Sequence, residues 1–200
     1  MPHTGANRTA PGRIAGLTIP NIITLIRFLL VPAVVFALLT GEMGWALVGF
    51  LVAGISDGVD GFIARQFDQR SELGAYLDPM ADKLLLVSVF VVLGLMDELP
   101  LWLVIAAVSR DALIVGAVLL STIMGHPVAM KPLMVSKANT AIQIVLAALV
   151  LTDLALAGSF ETLRVLLVYL SGLLTVASGA AYLVSWLKHM GGYAETGPTD

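Results

Sequence analysis

Cysteine is absent from this chain, which excludes a disulfide framework, a thiolate metal site and a cysteine nucleophile together. Histidine is nearly absent: His3, His126 and His189 fall in expected loops or tails, outside the apolar runs. Charge is thin as well. Only 12% of the 200 residues are Asp, Glu, Lys or Arg, 58% are hydrophobic, and the mean hydropathy is +0.93. A soluble domain of this size could not hide that much apolar surface in one core, so the composition predicts an integral membrane protein. The net charge of -3 decides little, because distribution outweighs the sum in a membrane protein. No internal repeat or low-complexity tract stands out, and nucleic acid is not among the expected partners.

Spanning a bilayer takes about 20 apolar residues at about 1.5 Å rise each. The hydrophobic runs divide into six such pieces, at 21–39, 45–65, 73–96, 101–124, 137–156 and 163–188. The breaks between them carry turn or charge signals, among them Thr40-Gly41-Glu42, the polar run 66–72, Asp97 to Pro100, Gly125-His126-Pro127 and Gly158-Ser159. The predicted fold class is all-α, a polytopic membrane protein of six transmembrane helices forming one domain over 21–188. A cytoplasmic or interfacial segment precedes it at 1–20, and a polar tail follows at 189–200. The first apolar run is of spanning length with no small-x-small cleavage pattern behind it, so it is expected to be retained as a helix. Arg8, Arg13, Arg65, Arg70, Lys131, Lys137 and Lys188 fall at the two ends and in the even-numbered loops, whereas the odd-numbered loops offer only Arg164. Both termini are therefore expected in the cytoplasm.

Four acids interrupt this apolar background. Asp57 and Asp60 stand three apart near the cytoplasmic end of the second span, and Asp78 and Asp82 four apart near the cytoplasmic start of the third. Each costs at least ~2.5 kcal/mol in hydrocarbon, so four within two helices mark a site. Both spacings put a pair on one helical face. As antiparallel neighbours on a short loop, the two spans are expected to bring the four carboxylates to one point just inside the cytoplasmic leaflet. Lys83 and Arg65 cannot neutralise that charge alone, so cations must bind. Hard oxygen donors without histidine or cysteine favour Mg²⁺ or Mn²⁺, and four carboxylates suit two ions, the usual clamp for displacement at phosphorus. Gly61, Ala64 and Gly74 remove bulk where a ligand or another backbone must come close, although small residues also serve plain helix packing.

The string Asp57-Gly-Val-Asp60-Gly61-Phe-Ile-Ala64-Arg65, eight residues, Gly74-Ala-Tyr-Leu-Asp78-Pro-Met-Ala-Asp82 resembles the signature of the CDP-alcohol phosphotransferases, D-x2-D-G-x2-A-R-x8-G-x3-D-x3-D, at all eight specified positions. The Asn21-x-x-Thr24-x-x-Arg27 opening and the Ser136-Lys137-x-Asn139-Thr140 start of the fifth span are similar to the phospholipid-synthesising branch. The resemblance implies that Asp57, Asp60 and Asp78 hold two metals, and that Asp82 both touches a metal and acts as general base. It implies that Gly61, Ala64 and Gly74 shape a nucleotide pocket and that Arg65 lies against the diphosphate; Asn21 and Thr24, read from their position, either contact nucleotide or cap the first helix, with bonding of the threonine to a helix carbonyl as the plain alternative. The resemblance also implies CDP-diacylglycerol as donor, an alcohol or lipid as acceptor, a homodimer, and an active site on the cytoplasmic side of the membrane.

Arg110 and Asp111 sit inside the fourth span, and Lys137 opens the fifth. Arg110 has two readings: an internal ion pair with Asp111 or another acid, or, with Lys137, acceptor binding. Family members that take glycerol 3-phosphate tend to carry a second arginine and a further basic residue at places that look like Val118 and Asn139 here. A monoester dianion would be under-neutralised, whereas phosphatidylglycerol brings one diester charge. The local strings are also more similar to CMP-forming cardiolipin synthases than to phosphatidylglycerophosphate synthases, so phosphatidylglycerol is the expected acceptor and glycerol 3-phosphate the alternative. A cation-coupled transporter is the alternative from another class, but it would spread acids over several helices at midplane.

Overall fold

The computed structural model describes the backbone over 19–67, 72–123 and 134–194, and side chains over 26–56, 83–117 and 134–187. Six α-helices and no strand occur among the described residues: α1 (Ile19–Leu39), α2 (Met43–Phe67), α3 (Glu72–Leu95), α4 (Leu101–Ile123), α5 (Met134–Leu156) and α6 (Glu161–Ala194). They match the six apolar runs one for one. The largest difference is α6, which continues to Ala194. Lys188, His189 and Met190 end the apolar stretch, but none of them breaks a helix.

Three helix ends close in the same way. Gly41, Asp97 and Ala157 take positive φ (81°, 61° and 48°), and the next amide in each case reaches back five residues: Glu42 N to Ala37 O at 2.8 Å, Glu98 N to Leu93 O at 2.9 Å, Gly158 N to Asp153 O at 3.1 Å. These bonds satisfy carbonyls that a helix terminus leaves open. Glycine takes this conformation freely and aspartate tolerates it, while Ala157 pays about 1 kcal/mol for its Cβ. Asp153, an isolated acid in an apolar run, also accepts the Phe160 amide at 3.4 Å, so it helps to order the α5–α6 turn.

The helices form a ring in which α1 packs on α2, α2 on α5, α5 on α6, α6 on α4, α4 on α3 and α3 back on α1. Val34 and Leu38 of α1, Phe50 of α2, and Val89, Phe90 and Leu93 of α3 bury together in the core. The two acid-bearing helices, α2 and α3, touch each other lightly among the described residues, and each packs more extensively on α1. Close approach elsewhere needs glycine, since a Cβ on Gly172 would stand 2.7 Å from the Trp102 ring where α4 meets α6.

Two stretches, Met134–Leu156 and Glu161–Leu187, are long and apolar enough by themselves to cross a bilayer. The outward faces carry large apolar side chains such as Leu29, Phe36, Trp45, Leu113, Val115 and Leu173, all exposed. A surface of that kind calls for an apolar neighbour.

Candidate active site

The signature falls on two consecutive helices. Asp57, Asp60, Gly61, Ala64 and Arg65 lie on the last three turns of α2, and Gly74, Asp78 and Asp82 on the first three turns of α3. Helical backbone through both stretches preserves the predicted spacing, so each aspartate pair shares one face of its helix. Their side chains lie outside the described residues, as do those of Asn21 and Thr24 at the start of α1 and Val118 on α4. Among the described residues no group of three or more His, Asp or Glu lies within reach of one metal ion.

Next to Asp82 the described side chains begin, with a charged junction. Lys83 Nζ donates to both carboxylate oxygens of Asp111 on α4, at 2.9 and 2.8 Å. Arg110 Nη1 donates to the same carboxylate at 2.5 Å, so one aspartate is shared by two cations. Arg110 is 4% exposed, Asp111 17% and Lys83 40%, which grades the junction from core to opening. The rest of the guanidinium is used as well: Nε and Nη2 donate to Ser178 Oγ of α6 at 3.1 and 2.7 Å, Nη2 donates to Ser136 Oγ of α5, and the Tyr182 ring centre is 5.9 Å from Cζ. Four helices, α3 to α6, are tied at this point. The internal ion pair that the sequence allowed for Arg110 is present, whereas Lys137, at the first turn of α5, is exposed and has no hydrogen bond or ion pair among the described residues.

Asn139, two residues further on, is fully buried; its Oδ1 accepts from Thr175 Oγ1 of α6 at 3.0 Å, and Gln143 Nε2 donates to the same hydroxyl at 3.4 Å. The position that a further basic residue would occupy is thus built into the α5–α6 seam. Arg27 of α1 is buried to 1% exposure. Sequence reasoning quoted Ser136 without giving it a role and missed Ser178, Tyr182 and Thr175. The available signal was small polar residues at helical spacing in otherwise apolar runs, which is weak because such residues also serve helix packing.

An apolar groove of about 510 Å³ opens between α2, α3 and α5, lined by Phe50, Gly54, Ile55, Leu86 and Ile144, with Lys83 in its wall. Gly54 precedes Asp57 by about one turn of α2, and Lys83 follows Asp82 on α3, so the lining of this groove adjoins the acid-bearing turns in sequence.

The family profile described as CDP-alcohol phosphatidyltransferase matches residues 17–178. The chain belongs to that family. Among its relatives in the family, the cardiolipin synthase (CMP-forming) of Homo sapiens is 35% identical over 147 residues, 66% of this chain and 49% of that one. The "Cardiolipin synthase (CMP-forming) / mitochondrial hydrolase fusion protein" of Schizosaccharomyces pombe is 34% identical over 183 residues, 84% of this chain and 31% of that one. The chain thus spans half or less of the length of those two relatives. A "Probable phosphatidylglycerophosphate synthase" of Mycobacterium tuberculosis is 31% identical over 204 residues, 98% of this chain and 93% of that one.

Proposed function

We propose that this protein is a polytopic membrane enzyme that transfers a phosphatidyl group from CDP-diacylglycerol to phosphatidylglycerol, forming cardiolipin and releasing CMP. The observation that carries the reading is the complete eight-position signature set on the end of α2 and the start of α3, in a chain of that family. The exposed apolar faces support the membrane setting, and the distribution of Lys and Arg supports cytoplasmic termini with the acids on the cytoplasmic side. A homodimer follows from the family resemblance.

The donor set fits a pair of Mg²⁺ or Mn²⁺ ions, since four carboxylates on two helical faces offer hard oxygen ligands and their charge matches two divalent cations. Asp57, Asp60, Asp78 and Asp82 would hold them. When bound, such ions neutralise the diphosphate and the departing phosphate oxygen. Asp82 accepts the proton of the acceptor hydroxyl. The freed oxygen attacks the phosphorus bonded to the diacylglycerol, the bond from that phosphorus to the CMP oxygen breaks, and CMP leaves with the electron pair. Arg65 lies against the diphosphate, and Gly61, Ala64 and Gly74 leave room for the nucleotide, with Asn21 and Thr24 beside it. The groove between α2, α3 and α5 takes an acyl chain of the donor. Lys137 and the Arg110 junction face the acceptor with few basic groups, which suits a monoanionic diester.

Glycerol 3-phosphate is the second reading, favoured by the near full-length match to the Mycobacterium tuberculosis protein. Incubating purified protein with CDP-diacylglycerol, Mg²⁺ and each acceptor in turn decides between them. Cardiolipin from phosphatidylglycerol is the expected product; phosphatidylglycerophosphate alone would replace the first reading by the second.

A further inference from the structure

A second apolar groove, about 620 Å³, opens between α4 and α6 and shares no lining residue with the first. Ser109, Ala112 and Gly116 of α4 and Gly179, Tyr182 and Trp186 of α6 line it. Arg110 stands behind this wall: Tyr182 lies under its guanidinium, and a Cβ on Gly179 would sit 3.7 Å from Arg110 Cγ. The first groove has Lys83 in its wall. The Lys83–Asp111–Arg110 junction therefore stands between the two, with one cation beside each. Two cations and one carboxylate leave a single positive charge in the junction itself, which complements one phosphodiester.

We infer that the α4–α6 groove is the acyl-chain site of the acceptor, a phospholipid with one diester charge, and that two lipids reach the junction from different sides of the bundle. This rests on the phosphatidylglycerol reading above. A water-soluble acceptor has no use for an apolar groove beside its charge partner. The donor is the occupant of the other groove, because that one adjoins the acid-bearing turns of α2 and α3. An acyl chain gains little hydrophobic energy by leaving a bilayer for a protein groove; the groove supplies position, holding the headgroup near the reacting centre.

Each groove contains a glycine whose Cβ position has open space around it among the described residues, Gly116 in the second and Gly54 in the first, so a larger side chain there projects into the groove. The experiment measures KM for each lipid in mixed micelles with the full chain carrying Gly116→Leu or Gly54→Leu. Gly116→Leu should raise KM for long-chain phosphatidylglycerol about tenfold and leave KM for CDP-diacylglycerol within about twofold, with the reverse pattern for Gly54→Leu. A short-chain phosphatidylglycerol should restore the rate of Gly116→Leu, which a general packing defect would not allow. If Gly116→Leu does not accumulate, Ala112→Leu in the same wall reads the same quantity. Unchanged acceptor KM, or an equal rise for both lipids, overturns the inference. So does a shift from dimer to monomer with both KM values unaltered, which would make the groove a contact between copies of the chain. Wild-type protein that ignores phosphatidylglycerol altogether is a distinct result, since it removes the acceptor reading before any variant is compared.

Discussion

The two ends of the helix bundle handle polar groups in opposite ways. At the end formed by the α3–α4 and α5–α6 turns, each charge is settled near the surface: Arg164 pairs with Glu98 at 2.9 Å with both side chains about a quarter exposed, and Asp153 serves its own turn. Towards the other end, Arg110, Asn139, Gln143 and Thr175 are buried with Asp111 half-buried beside them, and the four signature aspartates follow on α2 and α3. Exposed pairs are worth at most about 1 kcal/mol, while a buried charge that loses its partner costs several. Interior charge is therefore carried where it lowers the margin of stability, the expected signature of chemistry and not of folding.

The contrast is broken most strongly at the acids. Asp57→Asn, Asp60→Asn and Asp78→Asn should each lower kcat/KM about 10³-fold or more while the protein still inserts, because an amide holds a divalent cation poorly. Glu98→Gln at the opposite end should cost less than about threefold on the same scale. Near-normal rates in two of the three aspartate variants would sink the assignment. Asp82→Asn should reduce kcat about 10²-fold and leave donor affinity within about threefold, since the donor binds before any proton moves. Lost donor binding at full kcat would leave Asp82 a ligand only.

Stability sharpens the comparison next. Asp111→Asn leaves the Arg110 guanidinium buried without its carboxylate and should destabilise the protein by about 3 kcal/mol, read as a fall in thermal midpoint in detergent. Glu98→Gln should lose about 1 kcal/mol or less. Equal losses would mean that the interior junction carries no special burden. The smallest expected effect is a gain: Ala157→Gly relieves a left-handed alanine and should add about 1 kcal/mol.

All six helices were legible in the sequence, because apolar runs of spanning length separated by Gly, Pro and charge leave few alternatives. The acid motif was equally legible, being local: eight specified residues within two helices and one loop. The Arg110 junction was only half legible. Asp111 is adjacent in sequence and suggested itself, but Ser136 and Ser178 come from helices whose order around the ring no local pattern encodes, and serine in an apolar helix is ordinary. Asn139 shows the same limit from the other side. Spacing marked its place as one where some family members carry a basic residue, but nothing local announced that its Oδ1 would accept from Thr175 across the α5–α6 seam.

If the aspartates of α2 and α3 form a metal-dependent centre for CMP-forming transfer, the protein is inert without divalent cations. Titrating Mn²⁺ into metal-stripped protein, with CDP-diacylglycerol and phosphatidylglycerol present and CMP release followed, tests it most directly. The expected result is no CMP without metal, full recovery as about two ions bind per chain, and neither binding nor recovery in Asp60→Asn. Full CMP release in metal-free buffer would contradict it.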